Sequence, residues 1–116
     1  MHELSLAQTI CQAVIPHQAE GHKIVAIVIE NGPFSGVVTE SLEYCFSIVA
    51  GEHGLSEAKL RVRNLQVAAT CPACGGASEI DNMWAECDRC GHSPLTVDGG
   101  REFRIKEIEI EEVNHV

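Results

Sequence analysis

Apolar residues recur along the first fifteen positions with the spacing of a helix. In LSLAQTICQAVI (4–15), Leu4, Ala7, Cys11 and Val14 form one stripe, flanked by Leu6, Ile10 and Ala13. A stripe that wide belongs to a helix lying on a sheet. Pro16 lacks an N–H and predicts a kink or an end there, with Gly21 as the stop for any last turn. HKIVAIVIENG (22–32) is then almost continuously β-branched, the pattern of a strand covered on both faces, and Asn31, Gly32 and Pro33 break it. Helical spacing returns in TESLEYCFSIVAG, with Leu42, Cys45, Phe46 and Val49 on one side, Thr39 as N-cap and Gly51 as stop.

Two later segments alternate but change phase. Leu60 and Val62 share one face of 58–69, whereas Leu65 and Val67 fall on the other. Phe103 and Ile105 are out of phase with Ile108 and Ile110 in the same way. A one-residue slip inverts a strand's faces, so each segment carries a bulge or changes environment near its middle. Matching slips predict that 58–69 and 102–112 pair with each other.

The predicted class is therefore α/β (α+β): a small three-stranded mixed sheet packed with two helices, plus an inserted four-cysteine ribbon. The expected division is a discontinuous α/β domain, 1–70 with 99–116, and an inserted domain at 71–98. At 116 residues the chain is long enough to form one core without disulfides.

Net charge is −9, divided as −3, −4 and −2 over residues 1–70, 71–100 and 101–116. No segment is basic, which argues against binding a phosphate backbone and so against nucleic acid. No apolar run approaches the roughly 20 residues of a membrane span, and the start lacks the pattern of a signal peptide. The expected location is the cytoplasm, with no membrane partner. No Ser/His/Asp order, phosphate loop or open catalytic metal is legible, so the chain reads as a non-enzyme.

The cysteines carry the chemistry. Cys71, Cys74, Cys87 and Cys90 form two C-x-x-C pairs, each followed by a glycine (Gly75, Gly91) that accepts the positive φ of a tight knuckle. Four thiolates so spaced predict a closed tetrahedral site holding structural Zn(II), with a rubredoxin-like iron site or a redox dithiol pair as the alternatives. Cys11 and Cys45 lie on apolar helical stripes and read as core. His17, His22, His53, His92 and His115 have no metal role by this reading, and Met83 with Trp84 is expected to pack the small module.

The opening Met1-His2-Glu3 supports two readings. A free amine, the next amide nitrogen and the His2 imidazole can close a planar nitrogen chelate of the kind Ni(II) and Cu(II) prefer, with the Glu3 carboxylate nearby. Equally, Glu3 suits the positive end of a starting helix.

MHELSLAQ at the start, CPACG and CDRCG in the insertion and FRIKEIEIEE near the end, in this order and at this length, resemble the HypA/HybF family of nickel metallochaperones. The resemblance implies that Ni(II) is a transient cargo held at Met1, His2 and Glu3. It also implies Zn(II) on Cys71, Cys74, Cys87 and Cys90. The implied partners are the GTPase HypB and the [NiFe]-hydrogenase large subunit, with a homodimer left open and urease served by some members. An acidic residue that some members bring toward the nickel aligns with Val38. A zinc-ribbon adaptor without a nickel role is the alternative.

Overall fold

The computed structural model describes residues 3–18 and 22–112. Helix α1 (Glu3–Val14) ends in a single 3-10 turn at Ile15–His17, where Pro16 removes a donor from the helical ladder. Strand β1 (His22–Asn31) leads to α2 (Thr39–Glu52) and then β2 (Lys59–Asn64). The chain next forms β3 (Val67–Thr70), β4 (Ala77–Ile80) and the short β5 (Thr96–Val97), and returns as β6 (Phe103–Glu112).

The first sheet has the order β2-β1-β6, with β2 parallel and β6 antiparallel to β1. It is the expected three-stranded mixed sheet with two helices. A parallel neighbour requires a crossover, and α2 is that crossover. Ala7, Ile10, Cys11 and Val14 of α1 meet Ile24, Ile27 and Ile29 of β1 and Leu42, Phe46 and Val49 of α2 in one buried cluster. Each fully buried isoleucine there contributes about 1.5–3 kcal/mol.

Two expectations fail, each for a physical reason. Segments 58–69 and 102–112 do not pair, because β1 lies between β2 and β6. Their phase changes have separate causes. In β6, Lys106 is the extra residue where the register passes from Val28↔Glu107 to Ile29↔Ile105, and this bulge lets Phe103, Ile105 and Ile108 all reach the core. In 58–69 the chain leaves the first sheet at Leu65–Gln66 and enters the second, of order β4-β3-β5. Gly51 is also not the stop of α2: the helix continues to Glu52, and Gly54 takes the positive φ of +73°.

β1 is covered on its second face by side chains rather than by another layer. Ala26, Val28 and Glu30 point away from the helices yet are buried. Arg61 of β2 reaches Glu109 of β6 at 3.0 Å, and Arg104 reaches Glu30 at 2.7 Å, so charged side chains roof the strand. The Arg104 hydrogen bond holds the Glu30 carboxyl below its usual range, against the opposing effect of burial. A depressed carboxyl stabilises the fold above its unfolded pKa of about 4.3 and loses that contribution as pH falls through the folded value. Arg104→Met is therefore expected to lower the urea midpoint at pH 7, by an amount that shrinks as pH falls below about 4.3. A deficit that persists undiminished at pH 3 would assign the loss to packing instead.

Candidate metal centre

Both cysteine pairs sit on turns of the same construction. The first knuckle is the β3–β4 hairpin loop, where the Cys71 N–H donates to the Gly76 carbonyl and the Gly75 N–H returns to the Cys71 carbonyl, each at 2.8 Å. In the second, the Cys87 N–H donates to the His92 carbonyl at 2.9 Å and the Gly91 N–H to the Cys87 carbonyl at 2.8 Å. Gly75 and Gly91 have φ of +77° and +76°, a backbone state closed to most side chains. The sequence repeats the device because each pair must turn two sulfurs to one side within four residues.

All four sulfurs lie within 4.8 Å of one another. Cys71 Sγ is 3.5 Å from Cys90 Sγ, and Cys74 Sγ is 3.6 Å from Cys87 Sγ. A tetrahedral ion with metal–sulfur bonds of about 2.3 Å separates its ligands by about 3.8 Å, so the cage has the size a zinc-like ion needs. The leading cysteine of each pair is buried and the second exposed. Backbone N–H groups at Cys90 and Arg89 hold the Cys87 thiol down at about 6. Burial pushes Cys71 upward, but the N–H groups of Cys74 and Ala73 outweigh it and leave that thiol below its ordinary value. For Cys90 the His92 N–H pulls downward. The sulfurs of Cys71, Cys74 and Cys87, together with burial, outweigh it and push the thiol up to about 12. Crowded sulfurs therefore resist full ionisation by themselves. A dication would remove that resistance, and four protein sulfurs fill a tetrahedral shell, which makes this a structural rather than a catalytic type of centre.

Of the proposed nickel residues, Met1 and His2 lie outside the described residues. Glu3 opens α1, and its Oε2 accepts the Val38 N–H at 3.3 Å. Val38, not Thr39, is the N-cap of α2 and supplies no side-chain cap of its own. The carboxylate from α1 thus satisfies a donor at the positive end of the neighbouring helix. Thr39 serves elsewhere, donating to Asn64 Oδ1 at 2.7 Å.

Asn31 is the residue sequence reasoning undervalued. Read only as a strand breaker, it is a buried side chain whose amide donates to the Val37 carbonyl at 3.1 Å and to Asn64 Oδ1 at 3.3 Å, while Ser35 donates to its Oδ1. It fixes the loop between β1 and α2, and so the position of Val38. Among the described residues only the four cysteines group as a metal cluster; His17, His22, His53 and His92 contribute no ligand atom to it, although the His92 backbone braces the second knuckle. Met83 and Trp84 do not pack the module, being 67% and 85% exposed.

Residues 1–110 match the family model for HypA, described as a metallochaperone of hydrogenase and urease nickel incorporation. The chain belongs to the HypA family. It is 37% identical over 111 residues to the hydrogenase maturation factor HypA of Geobacter sp. strain M21, covering 96% of this chain and all of that one. The HypA of Nostoc sp. strain PCC 7120 is 35% identical over 113 residues, covering 97% and 98%. The solution structure of the nickel metallochaperone HypA from Helicobacter pylori superposes with a TM-score of 0.60 at 21% identity, covering 94% of this chain and 97% of that chain. A second solution structure of a HypA protein gives 0.63 at 21% identity, covering 96% and 97%. The two HypA structures share this fold. HypA proteins are metallochaperones rather than catalysts, and no helix among the described residues is long and apolar enough to cross a membrane.

Proposed function

We propose that this HypA-family chain binds Ni(II) at its amino end and delivers it during maturation of [NiFe]-hydrogenase. The Met1 amine, the neighbouring amide nitrogen and the His2 imidazole would be the donors, with Glu3 beside them. Cys71, Cys74, Cys87 and Cys90 hold structural Zn(II) in this reading, within an inserted domain at 71–98. The rest of the chain, 1–70 and 99–116, forms the nickel-binding domain. The observation that carries the reading is the family match beginning at residue 1, so that it includes Met1-His2-Glu3.

The cargo residues suit delivery. A site at a chain end is open on one side and can pass an ion by ligand exchange, whereas a four-thiolate cage cannot do so without opening. Each nitrogen must lose a proton to bind, the imidazole near pH 6.5 and the amine near 8, so nickel affinity falls as pH falls. Glu3 has a divided duty. Its contact with Val38 N–H supports a positioning role, because it ties the beginning of α1 to the beginning of α2. The resemblance supplies the partners: the GTPase HypB and the hydrogenase large subunit, in the cytoplasm.

Titration of Ni(II) into the zinc-loaded protein, its His2→Ala variant and a form with one added amino-terminal residue tests this. The tight site is expected to weaken at least tenfold in His2→Ala, and the extended form to show an altered nickel absorption spectrum. Equal affinity and spectra in all three would overturn the nickel assignment and leave the adaptor reading.

A further inference from the structure

The turn after β4 presents large apolar side chains to water. Asn82 accepts the Trp84 N–H on its Oδ1 at 2.9 Å, and its amide donates to Asp81 at 2.8 Å, so the turn is braced by its own polar groups. On this brace stand Met83 and the chain's single tryptophan, Trp84. Large apolar groups held outward on an ordered turn mark contact surfaces more often than core.

Beneath them run two adjoining cavities of about 390 and 340 Å³, both lined by Phe34, Met83 and Arg101. One extends to Pro33, Asp81 and Trp84, the other to Val97 and Asp98. One wall therefore belongs to the cysteine module and the opposite wall to the Pro33–Phe34 corner after β1. That corner is fixed, since the Phe34 N–H donates to the Gly100 carbonyl at 2.6 Å and its ring lies over Gly100. Together the cavities have the size of a ligand cleft, floored by an aromatic ring and a thioether.

The electrostatic setting selects the occupant. Residues 71–98 carry Glu79, Asp81, Glu86, Asp88 and Asp98 against Arg89 alone. Asp81 lines one cavity and Asp98 the other, and Arg101, which lines both, is the one cation among their lining residues. An acidic segment would be repelled by the module as a whole. A basic one gains from its field, and an arginine or lysine can also lie against the exposed indole face.

We propose that this trough docks a basic, apolar-bearing segment of a partner protein. A leucine- or methionine-sized side chain seats on Phe34 and Met83, and an adjacent cation lies across Trp84 toward Asp81 and Asp98. Tryptophan and methionine are the residue types enriched in such interface centres. The proposal requires no nickel and stands apart from the amino-terminal site.

Because Trp84 is the only tryptophan, its fluorescence reports on this trough alone. The full-length zinc-loaded protein is titrated with a peptide alternating leucine and arginine and lacking aromatics. Controls are the same peptide with glutamate for arginine, and one with serine for leucine. A saturable blue shift with loss of acrylamide quenching is expected for the leucine–arginine peptide only. Met83→Ser is expected to weaken binding about fivefold, and Asp81→Asn with Asp98→Asn about tenfold with a flatter salt dependence. Glu52→Gln, on α2, serves as the remote control. An equal response to the glutamate or serine peptide would overturn the proposal. So would unchanged binding in both trough variants, or the same blue shift on concentrating the protein alone, which would give the surface to a second copy.

Discussion

Chelating the metal from the four-cysteine site is expected to unfold residues 67–98 while α1, β1, α2, β2 and β6 keep their structure. The reason is where the apolar material lies. The buried cluster draws on α1, β1 and α2 with Leu55, and takes none of its residues from the second sheet. Around that sheet the buried apolar residues are Ala69, Cys71, Ile80 and Cys87, and two of these four are thiols of the metal site. A three-stranded sheet with two- and four-residue strands cannot order its long loops on the burial of one isoleucine, worth about 2 kcal/mol. Structural zinc binding supplies about 10–16 kcal/mol, so a zinc ion on the four thiols would take the place of a core. Hydrogen exchange read by mass spectrometry measures this directly. Protection across 67–98 should collapse on metal removal, while 22–31 and 39–52 stay protected. Full protection of 67–98 in protein shown to be metal-free would mean that the module folds on side-chain packing alone.

The same distribution explains what could be foreseen from the chain. Helices α1 and α2 were legible because a single apolar period survives along each, and strand β1 because its β-branched run is almost unbroken even though its register shifts between Ile24 and Ala26. The cysteine knuckles were legible for a different reason: sulfurs at C-x-x-C spacing and a glycine after each pair are local requirements, met within five or six residues. Partner choice was not local. The phase slip in 103–112 comes from the Lys106 bulge, whereas that in 58–69 comes from a passage between sheets. Both produce one pattern in the sequence, and only the position of β1 between β2 and β6 separates them. Thr39 has the chemistry of an N-cap, but a carboxylate from another helix reached the start of α2 and Thr39 was drawn into the Asn31–Asn64 network. Met83 and Trp84 misled for a related reason. Apolarity states what a residue would gain by burial, not whether a second layer exists to bury it.

Replacement of Gly32, a buried loop residue, by alanine is expected to cost about 3 kcal/mol. Gly32 does not need positive φ; it needs space. A Cβ there would meet the Gly100 carbonyl oxygen at 2.4 Å, its carbon at 2.7 Å and the Glu102 nitrogen at 3.0 Å. All three are backbone, so no side chain can swing aside. That same carbonyl accepts the Phe34 N–H, and Gly32 itself donates to the Glu102 carbonyl at 2.7 Å. Opening the approach by the several tenths of an ångström needed strains or breaks both bonds, each worth about 1 kcal/mol and more if a buried group is left unpaired. Those bonds join the corner after β1 to the segment entering β6, where the first sheet meets the second. Gly51 provides the contrast. It lies within α2 with nothing within 4 Å of an added Cβ, so Gly51→Ala should stabilise by about 0.5–1 kcal/mol through helix propensity. Thermal unfolding of the two variants side by side should place Gly32→Ala roughly 10 °C or more below the unaltered protein and Gly51→Ala slightly above it. If Gly32→Ala melts within two or three degrees of the unaltered protein, the close backbone approach is not a constraint on the fold, and the corner that carries Phe34 is free to move relative to β6.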